Sequence, residues 1–110
     1  MAKEKLDEKM ETAKSLAATY TDGTELHIGN LKGFSIQLVW TGTPAGTFAL
    51  VSSIDRTNFD AVPDATVVPA GSAGSGTIHW SPNHLKWIRI NYTRTSGTGT
   101  LEAYIYGTDL

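Results

Sequence analysis

The sequence predicts a mainly β fold, an antiparallel β-sandwich or jelly roll of about seven strands, with an N-terminal helical arm. Short runs of alternating apolar and polar residues recur between residues 25 and 106, separated by turns rich in Gly, Pro, Asn and Ser. No helical pattern lies between these runs, which disfavours a parallel sheet built from βαβ units. A sharp change in composition near residue 20 divides the chain into an amphipathic arm, residues 1–20, and a β-sandwich domain, residues 21–110.

The arm has the composition of a helix. Eight of the chain's charged residues lie in the first fourteen positions, and the segment from Lys3 to Ala18 contains strong helix formers and no Gly or Pro. Its apolar residues form one narrow stripe, which buries too little surface to hold a lone helix in water. We therefore expect the arm to anchor the chain on a partner and to be removable without unfolding the sandwich. The stripe consists of Leu6, Met10, Ala13 and Ala17.

The strands follow from a period of two, because successive side chains of a strand point to opposite faces. Ile88 and Ile90, for example, share an inner face, while Trp87 and Arg89 point outward. The turn Ser96–Gly99 is predicted to join the last two strands as a hairpin. The predicted strands are Glu25–Ile28, Gly33–Thr41, Thr47–Ile54, Thr66–Val68, Thr77–Trp80, Leu85–Thr95 and Thr100–Tyr106.

Composition argues against several classes of protein. The chain has no cysteine, so it has neither a disulfide framework nor a cysteine metal site. Its net charge is −2 and its Lys and Arg residues are not concentrated in the β region, so the basic surface typical of nucleic-acid binding is absent. No apolar run has the length of a membrane span, and the N-terminus lacks a signal-peptide segment. We expect neither nucleic acid nor membrane as a partner.

No motif indicates catalysis or a cofactor. A nucleophile elbow, a His-Glu-x-x-His motif and a carboxylate pair of recognisable spacing are all missing. His79 and His84 are expected to be strand-end histidines, because acidic neighbours that would complete a metal site are lacking. Aspartates between residues 53 and 64 would suit calcium, but their irregular spacing favours turn capping. The Gly-rich stretch 71–76 lacks the Lys and the helix of a phosphate-binding loop.

Outward-facing aromatic side chains are the strongest candidates for a binding surface. Trp87, Tyr104 and Tyr106 fall opposite the inner faces of their strands. Side by side they would form an apolar patch that soluble monomers usually avoid. We therefore predict that a second copy of the chain, around a threefold axis, or the arm covers them. Aromatic faces also stack on sugar rings, so a carbohydrate-binding module is the alternative from another class of function.

Three stretches resemble small β-sandwich virion proteins of tailed bacteriophages: residues 35–48, residues 52–59 and Trp87–Gly107. In that group a strand often runs into Ser-x-Asp-Gly-Thr-Asn-Trp, followed later by an aromatic-x-Arg hairpin and a Tyr-rich or Val-rich last strand. Here Arg56 and Phe59 stand in place of the Gly and the Trp. The resemblance covers residues 33–107 and consists of strands and turns rather than a catalytic signature.

The resemblance implies a non-enzymatic structural protein of the virion, made in the host cytoplasm and needing no cofactor. Its most specific form is a capsid decoration, or cement, protein that binds the major capsid protein, often as a trimer. Neck and tail proteins of such virions share the same sandwich, so another virion protein is an alternative partner. In this interpretation the sandwich is a rigid body and the arm is its anchor.

Overall fold

The computed structural model describes residues 5–108, which form eight β-strands and contain no helix. The predicted mainly β architecture is confirmed, because these strands make two antiparallel sheets of four strands each. The start of the predicted arm, residues 1–4, and the end of the predicted sandwich domain, residues 109–110, lie outside the described residues. The strands are β1 (Lys5–Ser15), β2 (Leu26–His27), β3 (Gly33–Trp40), β4 (Ala45–Ser53), β5 (Asp60–Val67), β6 (Gly74–Trp80), β7 (Trp87–Ser96) and β8 (Thr100–Thr108).

The strand order follows a nested pattern. One sheet has the order β1-β8-β3-β6 and the other has the order β2-β7-β4-β5. The first strand therefore pairs with the last, β2 with β7, β3 with β6, and β4 with β5. This is the strand order of an eight-stranded jelly roll, in which most consecutive strands lie in different sheets.

The inner faces of the two sheets form one hydrophobic core. Trp40 of β3 and Phe48 of β4 come from different sheets, and their ring centroids are 5.6 Å apart. Tyr92 of β7 extends this aromatic contact, with its ring centroid 4.8 Å from that of Phe48. The predicted inner phase of β7 is confirmed, since Ile88 and Ile90 are buried. The alternation along its predicted strand places Ile54 on the inner face. Ile54 is instead 69% exposed, because β4 ends at Ser53.

The predicted N-terminal helix is wrong, because its described part forms β1, an edge strand paired with β8. Met10 and Leu16 are 3% and 0% exposed, so this segment contributes to the core of the sandwich. Register shifts on either side of Glu11 mark bulges, and Ala13 has a positive φ of 49°. Glu11 is buried and accepts a hydrogen bond from the backbone N–H of Thr24 at 2.9 Å.

Strand pairing outweighs helix propensity in this segment. Propensity differences amount to tenths of a kcal/mol per residue, and a thin apolar stripe cannot hold a helix without a surface. Pairing with β8 satisfies the backbone and also buries Met10 and Leu16. The charged residues that suggested a helix lie on an edge strand, where charges and bulges discourage pairing with other chains.

The predicted hairpin between the last two strands is also wrong, because β7 and β8 belong to different sheets. The connection Ser96–Gly99 crosses from one sheet to the other. It packs against the loop that follows β3, where the backbone N–H of Thr43 donates to the carbonyl of Thr98 at 2.7 Å. Gly97 has a φ of 77°, and a Cβ there would overlap the carbonyl of Thr43, so this crossing requires glycine.

Deleting residues 1–16 should destabilise the domain strongly, in contrast to the detachable arm expected from composition. The deletion leaves one side of β8 unpaired and removes Met10 and Leu16, for which truncation to Ala alone costs about 2–5 kcal/mol each. Circular dichroism and urea unfolding of the truncated chain measure the loss. An unchanged urea midpoint would show that β1 is dispensable.

Substituting Ile90→Ala should lower the free energy of unfolding by about 2–5 kcal/mol, because Ile90 is 1% exposed and truncation leaves a cavity. Thr93→Ala is the matched control on the same strand, where the side chain is exposed. Its effect should stay within about 0.5 kcal/mol. Equal shifts of the two urea midpoints would contradict the register of β7.

Candidate binding surface

The outer face of the sheet that contains β8 presents two aromatic side chains to solvent. Along β8, Ala103 and Ile105 point into the core, whereas Tyr104 and Tyr106 point outward. Tyr104 is 42% exposed and Tyr106 is 50% exposed. Since β8 lies between β1 and β3, the two tyrosines occupy the middle of the sheet rather than its edge.

Polar side chains surround the two tyrosines on the neighbouring strands. Residues directly opposite one another across a strand pair share a face, with Cβ atoms about 5 Å apart. Two tyrosines inside a polar border have the composition of a protein interface, in which aromatic anchors are surrounded by a polar rim. We call this surface the tyrosine face, and it consists of Tyr104 with its neighbours Lys9 and Gln37, and Tyr106 with its neighbours Asp7 and Ser35.

An ion pair fixes one side of the tyrosine face. Lys9 Nζ is 3.2 Å from Glu102 Oε1 and 5.6 Å from the centre of the Tyr104 ring. The other carboxylate oxygen of Glu102 accepts a hydrogen bond from the backbone N–H of Ala13 at 2.9 Å. This backbone hydrogen bond, and after it the Lys9 ammonium, keep the pKa of Glu102 below its ordinary value. Glu102 is therefore ionised at neutral pH and pairs with Lys9 beside Tyr104.

A Ser-His pair forms the other side of the tyrosine face. Ser35 Oγ and His79 Nδ1 are 2.7 Å apart. Together with Tyr106 and Trp80 they line an open depression of about 340 Å³. In Ser-His-Asp sites a carboxylate orients the imidazole from its second nitrogen, and among residues 5–108 no hydrogen bond or ion pair joins His79 to a carboxylate. The pair offers a hydroxyl and an imidazole for hydrogen bonds to a bound molecule.

Trp87 lies on the outer face of the other sheet and not on the sheet that carries the two tyrosines. The Arg56 guanidinium carbon lies over its indole ring, 4.2 Å from the centroid. The His27 ring packs edge-on against the same indole, with centroids 4.9 Å apart. The predicted side-by-side cluster of Trp87 with Tyr104 and Tyr106 is therefore wrong, because β7 and β8 lie in different sheets.

One glutamate holds two arginines over aromatic rings on this second face. Glu25 accepts a hydrogen bond from Arg56 Nε at 2.9 Å and another from Arg89 Nη1 at 3.3 Å. The guanidinium carbon of Arg89 lies 4.0 Å from the centre of the Phe59 ring. Each cation–π contact of this kind contributes about 0.5–1 kcal/mol where solvent has access. These contacts hold the 54–59 loop against the sheet, and they place Arg56 of the same chain over Trp87.

Asp55 caps the turn that begins this loop. Its Oδ1 accepts hydrogen bonds from Ser53 Oγ and from the backbone N–H groups of Thr57 and Asn58, at 2.8 to 2.9 Å. These hydrogen bonds, led by the backbone N–H of Asn58, hold the pKa of the Asp55 carboxyl well below its ordinary value. The turn-capping role predicted for the aspartates of this stretch is confirmed for Asp55.

The structure brings no candidate metal ligands together in the part of the chain that it describes. Within residues 5–108, no three His, Asp or Glu side chains lie close enough to share a metal ion. His79 pairs with Ser35, whereas His84 lines a different depression, of about 300 Å³, with Asp55 and Asp60. The same range of residues contains no helix long and apolar enough to cross a membrane.

The four predicted anchor residues of the arm do not share one face. Leu6 packs against the core as a half-buried side chain, and Met10 is buried within it. Ala13 lies at a bulge and Ala17 in the loop after β1, and both are exposed. A stripe with helical spacing is divided between inside and outside when the segment is extended, so Leu6 and Met10 serve the domain's own core.

Sequence patterns identified the tyrosines but missed their surroundings. Alternation along the last strand placed Tyr104 and Tyr106 outward, and the structure agrees. Lys9 and Gln37 join them only through pairing of β8 with β1 and β3. The contact of Glu25 with its two arginines likewise spans distant parts of the sequence. No local motif signals either arrangement.

Comparisons with known proteins find a structure of similar fold but no matching family. No protein-family model matches the chain, and no curated protein matches it. Among solved structures, the chain is similar to the crystal structure of the SPBc2 prophage-derived protein YomS, with a TM-score of 0.61 over 96% of this chain and 96% of that chain. The two sequences are 9% identical, so the similarity establishes a shared fold.

Substituting Asp55→Ala should lower the urea midpoint at pH 7, because the turn loses three hydrogen bonds to one carboxylate oxygen. The folded-state pKa of Asp55 is depressed, so its contribution is complete above the unfolded-state pKa of about 4 and is lost as the pH falls further. The difference between the variant and the wild type should therefore shrink below about pH 4. Asp60→Ala is the control in the same stretch, and an equal effect of the two substitutions would contradict the capping role.

Proposed function

We propose that this chain is a non-enzymatic structural protein of a tailed-bacteriophage virion, and specifically a capsid decoration protein. The tyrosine face is its docking surface for the major capsid protein. Under this proposal the jelly roll supplies a rigid body, and the chain's location is the virion.

The observation that carries the proposal is the contrast between the two outer faces. Trp87 is covered by Arg56 and His27 of its own chain. Tyr104 and Tyr106 are 42% and 50% exposed in the middle of their sheet, with Lys9 beside them. Exposed tyrosines at the centre of a polar-bordered sheet face fit a protein partner, because such residues are common hot spots of interfaces.

The shared fold supports a phage context. The similar solved structure, YomS, is described as an SPBc2 prophage-derived protein. The similarity extends over nearly the whole length of both chains. Jelly rolls also occur widely in viral capsid proteins, where a rigid sandwich exposes broad sheet faces for assembly. Both points favour a virion component, and the exposed tyrosine face supports the more specific proposal of a decoration protein.

The carbohydrate-binding alternative depends on aromatic rings that are exposed to solvent. Trp87 is a poor platform for sugar, since the Arg56 guanidinium lies over its ring at 4.2 Å from the centroid. Tyr104 and Tyr106 are the remaining candidates for stacking, with Gln37 opposite Tyr104. A glycan array with the wild-type protein and the double variant described below distinguishes the two functions.

Substituting Tyr104→Ser and Tyr106→Ser together should weaken binding to capsids by about 30-fold or more. Losing an aromatic hot spot costs about 2 kcal/mol, and this cost corresponds to that change in affinity. The measurement uses particles of the phage that encodes the chain, prepared without the native copy and titrated with purified protein. Sedimentation gives the occupancy, and cryo-electron microscopy identifies the capsid protein in contact with the tyrosine face.

The matched control is the double variant Ile54→Ser and Val68→Ser. These side chains are 69% and 65% exposed and lie outside the tyrosine face, so binding should be unchanged. Circular dichroism checks that both variants fold. Full occupancy by the tyrosine variant would contradict the docking surface, and wild-type protein bound to a glycan but not to particles would contradict the decoration role.

A further inference from the structure

Strand β6 is an edge strand with none of the usual protection against pairing. It pairs with β3 over seven residues in an uninterrupted register, from Trp80 opposite Phe34 to Gly74 opposite Trp40. Its sequence, Gly-Ser-Gly-Thr-Ile-His-Trp, contains no Pro, Lys, Arg, Asp or Glu. Among residues 5–108, the backbone of β6 is paired with β3 alone, so its outer edge presents backbone donors and acceptors.

The other three edges of the two sheets are protected. β1 carries charged residues and two register shifts, and β2 is two residues long. β5 contains Pro63, a register shift opposite β4, and Asp64 with a positive φ of 61°. Short length, charge, proline and bulges are the features by which natural sheets prevent edge-to-edge association. Their absence from β6 singles out this edge for a partner strand.

The sequence of β6 is complementary to itself in an antiparallel arrangement. With Thr77 on a twofold axis, Gly74 lies opposite Trp80, Gly76 opposite Ile78, and Ser75 opposite His79 of the second copy. Each bulky inward side chain meets a glycine, so no two large residues collide. No like charges face one another, because the strand has none.

The same chemistry already occurs within the sheet. Ser35 and His79 are directly opposite one another on β3 and β6, and their side chains hydrogen-bond at 2.7 Å. In the twofold arrangement Ser75 repeats this relation with the imidazole of the second copy. On the inner side of β6, Trp40 lies against Gly74 and Val67 lies against Gly76. Trp80 and Ile78 of the second copy would lie opposite these two glycines, so they would find apolar side chains nearby.

We propose that two copies of this chain associate through β6, antiparallel about a twofold axis at Thr77. The pairing joins the two β1-β8-β3-β6 sheets into one continuous sheet of eight strands and satisfies both exposed edges. Both tyrosine faces then lie on the same side of this sheet. The contact differs from a threefold contact through the aromatic side chains, and it does not depend on the proposed capsid role.

The test places charge at the axis, where Thr77 meets its own copy. Sedimentation equilibrium of the full chain over a concentration series should give a mass of twice 11.8 kDa for the wild type. Thr77→Lys and Thr77→Glu should each raise the dimer dissociation constant about tenfold or more, because like charges then lie directly opposite. An equimolar mixture of the two variants should restore the dimer, since opposite charges then meet.

Thr93→Lys is the control, because it places the same charge on an exposed position of β7 and should leave the dimer intact. Circular dichroism establishes that each variant is folded, and recovery in the mixture excludes a folding defect. A monomeric wild type overturns the proposal, as does a dimer that Thr77→Lys leaves unchanged. A monomer that loses particle binding on Thr77→Lys would assign the edge to a strand of another virion protein instead.

Discussion

Strand β8 is paired on both sides, with β1 and with β3, and this double pairing determines what the sheet presents on each face. Its apolar residues, such as Ala103 and Ile105, fill the core, and its tyrosines point outward. Because side chains alternate, a shift of one residue would bury Tyr104 and Tyr106 and expose those apolar residues. The register of β8 therefore determines both which of its residues are buried in the core and where the tyrosine face lies.

Local alternation predicted most strands of the sandwich, but it missed β1 and most of β5. The short predicted strand Thr66–Val68 covers only the end of β5, which runs from Asp60 to Val67, and the described residues form eight strands rather than about seven. Ile88 and Ile90 share a face by their spacing alone, so β7 was predicted almost completely. The arm was misassigned because charged residues without Gly or Pro are typical both of helices and of protected edge strands. The decision depends on pairing with β8, about ninety residues away, as in the pairing of Lys5 with Thr108. No pattern within the segment contains that information.

The candidate surface likewise depends partly on alternation along each strand and partly on contacts between residues that are distant in the sequence. The outward direction of Tyr104, Tyr106 and Trp87 follows from alternation, and the structure agrees for all three. Whether they share a surface depends on which sheet each strand joins, and turn chemistry at Ser96–Gly99 suggested a hairpin where the chain crosses between sheets. Arg56 covers Trp87 because a distant glutamate, Glu25, holds its guanidinium. On one outer face the chain's own Arg56 thus covers the tryptophan, whereas Tyr104 and Tyr106 on the other face are 42% and 50% exposed.

The β1·β8 pairing also has a consequence for chain connectivity. Lys5 and Thr108 are direct partners in that ladder, so the polypeptide enters and leaves the jelly roll at one point. A fold with adjacent entry and exit can be spliced into a surface turn of a host protein while the host strands on either side stay in register. Likewise, two different cargoes fused before residue 5 and after residue 108 would be displayed side by side. The chain is therefore suited to serve as an insertable module for presenting paired peptides.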